Sequence, residues 1–380
     1  MILSPAVRTL KVLIATTHLD KGGIAFYTVN LARGLRPYGV GTAVLSSGGE
    51  LGATLEREGI PSMELPIRTK SEFGPKMWMS LPAAARYARR EGFDLVHAQT
   101  RVTQIMAEGI YRLTGIPYVT TCHGFFKHRR LSRRMIPGWG KKVIAISESV
   151  KRHLLSDMLV PEDRVELVYN GIDTSAYSGH ADDKRREILA ESGLKDNSTV
   201  IGSVGRFSSA KGLKYLLEAF GMVASKNSNV SLLLVGQGPE EEELLKIADS
   251  LHYPGRIGLA RGTRPLNEYL SAIDIFCMPS ITEGFGLAAV EAMASGKPCV
   301  VSRVGGLTEI VVDGESGIIV PPGSAREIAE AVESLLKDED LLKRLSSGAR
   351  LRASEFSLEK CVEGTLRVYR SALSGIKKKG

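Results

Sequence analysis

Glu283 and Glu291 stand eight positions apart and bracket Gly284-Phe285-Gly286-Leu287, a glycine-bearing loop that leads into a helix. In a continuous helix eight residues span about 12 Å. Because Glu283 precedes the helix, the loop can fold it back so that both carboxylates address one ligand. A carboxylate accepts two hydrogen bonds from vicinal hydroxyls, as on a ribose or a sugar ring. The N–H groups around Gly286 and Leu287 would offer phosphate a positive helix terminus. The same pair also reads as a helix N-terminal glutamate followed by a solvated one, and spacing alone does not choose.

Cations suited to phosphate appear upstream. A short apolar run delivers Gly205-Arg206, and Lys211-Gly212 follows just before the next helix. Two cations at one sheet edge suit a diphosphate, Arg giving a planar fork and Lys a point charge. Gly22-Gly23 precedes another helix and would let backbone approach a phosphate. It matches neither a dinucleotide fingerprint nor a P-loop, so geometry alone is an equal reading. His123, after the run Tyr118–Thr121, stands at a strand end, where it could donate to a sugar hydroxyl or move a proton, or serve only as a structural, hydrogen-bonded histidine. The remaining histidines form no metal-ligand spacing. Asp338-Glu339-Asp340 matches a metal-binding triplet only formally and reads as a solvated helix cap.

Short apolar runs alternate with amphipathic stretches and must position these residues. The strands expected first are Leu10–Ala15, Gly41–Leu45, Leu95–His97, Tyr118–Thr121, Lys142–Ile146 and Val165–Val168, with helices between them. A second series comprises Val200–Val204, Ser231–Val235, Arg256–Leu259, Ile275–Cys277 and Cys299–Ser302. Buried strands followed by helices imply βα units on parallel sheets. The boundary falls within Ser175–Ser198, giving domains 1–175 and 176–357. After Pro321-Pro322-Gly323 the pattern is helical to about Ser374. Two such α/β domains are expected to face each other across a deep cleft, with the ligand at the strand ends.

The 380 residues are 43% hydrophobic and 24% charged, which disfavours disorder. Cys122, Cys277, Cys299 and Cys361 lie far apart, so neither a disulfide framework nor a zinc site is expected. No apolar run suits a membrane span, and Arg8 and Lys11 spoil a signal-peptide layout. A cytoplasmic protein is the expectation. The net charge of +8 concentrates in residues 1–175, with 24 Lys+Arg against 15 Asp+Glu. Its densest part is Lys127–Lys142, where seven cations fall among Phe125, Phe126, Met135, Ile136 and Trp139. Such an excess attracts phosphate on a nucleotide, an anionic lipid or a nucleic acid.

Taken in order, these segments resemble the retaining glycosyltransferases of the GT-B fold, specifically family four, the glycosyl transferases of group 1. Further markers are Cys122-His123-Gly124, Ala145-Ile146-Ser147, Tyr169-Asn170-Gly171-Ile172-Asp173, Asp274 before Pro279-Ser280, Gly296-Lys297-Pro298 and Val304-Gly305-Gly306-Leu307-Thr308-Glu309.

The resemblance assigns roles by position. Arg206 and Lys211 would hold the donor diphosphate and neutralise the leaving group. Glu291 would take the ribose and Glu283 the donor sugar, with Gly284, Phe285, Gly286 and Leu287 lining the donor. His123 would lie near the anomeric centre, Gly23 under the diphosphate or acceptor, and Arg261–Arg264 near the base. It further implies a C-terminal helix, about 358–380, packing back towards the first domain. No cofactor or metal is expected, since two cations and backbone donors can replace a divalent ion. The implied reaction moves a hexosyl or N-acetylhexosaminyl group from a nucleoside-diphosphate sugar to a lipid-linked or saccharide acceptor. Cell-envelope polysaccharide, lipopolysaccharide or glycolipid synthesis is the setting it suggests, at an anionic membrane face reached through Lys127–Lys142.

Two positions depart from the family on the acceptor side: the continuation after Gly23, and Gln99, where many relatives carry histidine. Alternatives are a nucleotide-sugar epimerase of the same fold and a non-catalytic nucleotide-sugar binder. A nucleic-acid module has no motif here, and an NAD enzyme would want a GxGxxG that neither half shows.

Overall fold

Val12, Leu13 and Ile14 are fully buried, as are Leu232, Leu233 and Leu234. Consecutive buried residues mean that both faces of these strands are covered, which is why they read as unbroken apolar runs rather than alternating ones. The structure, a computed structural model, describes residues 9–69, 74–126, 136–177 and 182–374. Most of the basic segment, Lys127–Met135, lies outside them.

The chain divides into two units, Met1–Gly171 with Leu358–Gly380, and Ile172–Ser357. The first holds seven parallel strands: β1 Lys11–Ala15, β2 Gly41–Ser46, β3 Ser62–Glu64, β4 Leu95–Ala98, β5 Tyr118–Cys122, β6 Lys142–Ala145 and β7 Val165–Leu167. They lie in the order β3-β2-β1-β4-β5-β6-β7. The second unit holds β8 Thr199–Val204, β9 Val230–Val235, β10 Ile257–Ala260, β11 Ile275–Met278, β12 Cys299–Ser302 and β13 Gly317–Val320. Their order is β10-β9-β8-β11-β12-β13, again parallel. Both are Rossmann-like sheets whose strand order reverses beside the first strand, between β1 and β4 and between β8 and β11. The expected strands are present. The two it omitted, β3 and β13, are short edge strands with partly exposed residues and so lack the buried apolar run.

The helix Leu358–Ser374 completes the first unit. Its Val362, Leu366 and Tyr369 share a core with Val12, Ile14, Leu31 and Val119. The Tyr369 hydroxyl meets His97 Nδ1 at 2.7 Å, and His97 Nε2 meets Thr121 Oγ1 at 2.7 Å. Fully buried, His97 is driven to a pKa of about 3 and stays neutral. Asp338 accepts the Leu341 N–H at 2.8 Å as a helix cap, so the acidic triplet is used as the sequence suggested. Among the described residues no helix is long and apolar enough to cross a membrane.

One device recurs at the N-terminal foot of both switch-point pairs. Asp94 donates its N–H to Lys11 O at 2.8 Å and accepts the Lys11 N–H on Oδ2 at 2.9 Å. Asp274 does the same with Val200, at 2.8 Å each way. Asp274 also takes Arg185 bidentately, at 3.0 and 2.9 Å. Each aspartate thus pins the register between the two strands that flank the switch point. Asp274→Ala would orphan the Val200 N–H and leave the Arg185 guanidinium only the Ala272 and Ser198 carbonyls, and should cost about 1–3 kcal/mol. Urea denaturation followed by far-UV circular dichroism measures it; an unchanged midpoint would remove the staple from this account.

Candidate active site

The residues Gly205–Gly212 leave the C-terminal end of β8, and Pro279–Gly286 leave that of β11. The two loops are sewn together. Ile281 N–H donates to Ala210 O at 2.8 Å, and Pro279 O crowds Gly212, where an added Cβ would lie 2.2 Å away. Gly212 also sits at φ 61°, so glycine is required there on both counts.

Across this seam Lys211 Nζ pairs with Glu283 Oε2 at 2.5 Å, and Ser280 Oγ donates to the same oxygen at 3.4 Å. The Glu283 side chain is 13% exposed and that of Lys211 25%. The pair is therefore shielded from bulk water, yet reachable. Arg206 is exposed, and among the described residues it forms no ion pair. Glu283 O accepts the Gly306 N–H at 3.3 Å, which fixes the loop's far side.

The helix Leu287–Ala294 follows, entered through Gly286 at φ 112°, and no side chain caps it. A Cβ on Gly286 would strike Leu307 at 2.5 Å. Among the described residues no partner is present for the Leu287 and Ala288 N–H groups. An uncapped terminus presents these donors to whatever anion arrives. Side-chain caps close three other helices, through Thr100, Ser147 and Asp338, while helices such as Leu213–Ala224 and Ala325–Lys337 also start without one, so it is the nearby cations that set this terminus apart. The helix Gly23–Leu35 in the first unit also starts without a side-chain cap, with Gly23 exposed at its head.

Glu291 lies one turn into its helix, and its Oε1 accepts the Tyr177 hydroxyl at 3.0 Å. Burial pushes its carboxyl up to about 7, and the Tyr177 hydrogen bond opposes that rise. Tyr177 was not singled out from sequence. Its partner is 114 residues away, so no local spacing could disclose it.

In the first unit His123 follows β5. Its Nε2 meets Gln99 Oε1 at 2.8 Å, and the Tyr27 ring lies edge-on at 4.9 Å. Burial holds His123 at a pKa of about 3, so it is neutral at pH 7. If Gln99 turns its Oε1 to the ring, the proton sits on Nε2 and Nδ1 is left to accept. Among the described residues the buried Gln99 Nε2 has no partner. The sequence-derived residues thus form two groups. Arg206, Lys211, Glu283–Leu287 and Glu291 gather on the second sheet's switch-point edge, while Gly23 and His123 occupy the strand ends of the first unit.

Four expectations change in detail. The Phe285 side chain is 2% exposed and packs edge-on against Phe356 at 5.6 Å, so this position can offer a ligand its backbone only. Arg264 is committed to Glu187, Glu191 and Glu268, while Arg261 is exposed and pairs more loosely with Glu241 at 3.5 Å. In the basic segment, Lys142 binds Glu166 at 2.7 Å. Trp139 is buried and Ile136 packs on the core, so neither is a surface anchor.

The chain matches the family models for glycosyl transferases group 1, over residues 184–352, and for Glycosyltransferase Family 4, over residues 21–176. It is 27% identical to the uncharacterized glycosyltransferase MJ1607 of Methanocaldococcus jannaschii, over 93% of this chain and 95% of that one. It is 28% identical to the N-acetyl-alpha-D-glucosaminyl L-malate synthase of Bacillus anthracis, over 76% and 77% respectively. The crystal structure of Anabaena HepE in complex with UDP and glucose superposes with a TM-score of 0.83, covering 95% of this chain and all of that one at 22% identity. Matched along most of its length, the chain belongs to the group 1 glycosyl transferases of family 4, built on the GT-B fold.

Proposed function

We propose that this glycosyltransferase moves a hexosyl or N-acetylhexosaminyl group from a nucleoside-diphosphate sugar to an acceptor hydroxyl, with retention and without a metal. The observation that carries it is the shielded Lys211–Glu283 pair beside exposed Arg206 and an uncapped helix terminus. Departure of a nucleoside diphosphate leaves negative charge on phosphate. Fixed cations and aligned N–H groups stabilise that charge without solvent reorganisation. UDP and glucose in HepE, and the glucosaminyl transfer named for the Bacillus anthracis relative, support the donor class.

Glu283 already engages Lys211 and Ser280, which suits a carboxylate that accepts sugar hydroxyls better than a free nucleophile. We therefore favour same-face attack, in which the leaving phosphate takes the acceptor proton. His123 Nδ1 would accept from a sugar hydroxyl, and Glu291 from the ribose. Gly23 would lie under the diphosphate or acceptor.

Calorimetric titration of UDP, GDP and ADP with EDTA present tests the donor site. One nucleotide should bind, and Glu291→Ala should weaken it. A carboxylate accepts both ribose hydroxyls only when ionised. Since Glu291 titrates at about 7, affinity should fall several-fold from pH 8 to pH 6, and Glu291→Gln should flatten that dependence. Binding only with Mg²⁺ would end the metal-free reading. For the chemical step, Lys211→Ala should slow nucleoside-diphosphate release from the donor by about 100- to 1000-fold. Chromatography of the nucleotide products measures it, and a rate within threefold of wild type would remove Lys211 from the mechanism.

We further propose a lipid-linked or envelope saccharide acceptor, met at an anionic membrane face through Lys127–Arg134 together with exposed Lys141. Binding to phosphatidylglycerol vesicles should collapse at high salt, and when Arg129, Arg130, Arg133 and Arg134 become glutamine. Vesicle binding that survives both changes would rule this out.

A further inference from the structure

The hydrogen bond between Tyr177 and Glu291 joins a binding carboxylate to a segment far from it in sequence. Tyr177 ends the 3₁₀ turn Thr174–Tyr177. Several bonds tie that turn down. Asp173 Oδ1 accepts the Ser175 N–H at 3.2 Å and the Ser175 hydroxyl at 2.5 Å, and Asn267 Nδ2 donates to Ala176 O at 3.3 Å. Ile172 N–H donates to Phe356 O at 3.0 Å, and Phe356 packs edge-on against Phe285 of the Glu283–Leu287 loop. The tyrosine hydroxyl is thus delivered by a fixed frame rather than by a wandering side chain.

A carboxylate that reads vicinal hydroxyls must be held in one plane, because its lone pairs lie in that plane. A glutamate has three side-chain torsions, and the last is broad. One donor on Oε1 removes that freedom and leaves Oε2 to the ligand. We propose that Tyr177 is a positioning residue for the donor ribose, locking the Glu291 carboxylate so that its second oxygen meets the ribose hydroxyls. The inference rests on the assignment of Glu291 to the ribose. It adds that recognition of the sugar part of the nucleotide depends on the tyrosine hydroxyl. Charge acts in the same direction. The hydroxyl favours the ionised, acceptor form of a carboxyl that burial would otherwise protonate, and Asp173 is the other charged group acting on Tyr177.

The test compares each nucleoside diphosphate with its 2′,3′-dideoxy analogue, using UDP or whichever of GDP and ADP binds better. Calorimetry is run on wild type, Tyr177→Phe and Glu291→Gln. Phenylalanine keeps the ring and its packing, and equal unfolding midpoints confirm an intact fold. Wild type should prefer the ribonucleotide. Tyr177→Phe should weaken that ligand about three- to tenfold and leave the dideoxy analogue unchanged, a split that a merely structural role would not produce. An equal loss on both ligands overturns the proposal, as does no loss on either while Glu291→Gln abolishes the preference; in both cases the ribose assignment stands. A preference that survives Glu291→Gln overturns the ribose assignment and the Tyr177 proposal together.

Discussion

Strand register is the constraint on which the candidate site of the second unit depends. In a parallel pair, sliding one strand by a single residue moves its end by roughly 3.3 Å and turns its side chains to the opposite face. The Lys211–Glu283 pair spans 2.5 Å between loops that leave β8 and β11, so no such slip is tolerated. Asp274 meets this demand at the other end of the sheet, where it closes a two-bond ring with Val200 and takes Arg185 as well. Asp94 makes the equivalent ring with Lys11 in the first unit. Each carboxylate acts at a distance, by fixing where a loop begins.

Above that base the second unit gives its shielded lysine, Lys211, a carboxylate partner. A shielded lysine with no partner would be costly, and Glu283 supplies one. Among the described residues no cation pairs with Glu291 in this way. Its carboxyl is half protonated near neutral pH, and the Tyr177 hydroxyl is its hydrogen-bond partner. Two carboxylates on one segment thus stand in different environments, one paired with a cation and one poised to ionise. That difference suits two different hydroxyl-bearing ligand parts.

Legibility followed burial and sequence distance. Strands covered on both faces announced themselves as apolar runs, and β3 and β13, half exposed at their sheet edges, did not. Glycines at loop–helix junctions were legible because Gly286 and Gly212 answer to local backbone geometry. Side-chain roles that depend on remote partners were not. Phe285 finds Phe356, Arg264 finds Glu187 and Glu191, Lys142 finds Glu166, and Glu291 finds Tyr177. Residue type alone gives an arginine or an aromatic the same appearance whether it meets a ligand or a neighbour in the fold. Spacing left the Glu283/Glu291 pair open between two readings, and only the ordered set of motifs along the chain gave it a donor-binding sense.

The first unit is discontinuous, and this sets an order of events at the ribosome. Ile172–Ser357 is a contiguous stretch whose core can close as soon as it has emerged. The core of the first unit still lacks Cys361, Val362, Leu366 and Tyr369 at that moment. With about 200 residues still to be made after Gly171, at roughly 5–20 residues per second, the nascent chain would wait about 10–40 seconds with that apolar groove open. The part translated first is therefore finished last, and through that interval its exposed stripe is where a chaperone would be needed.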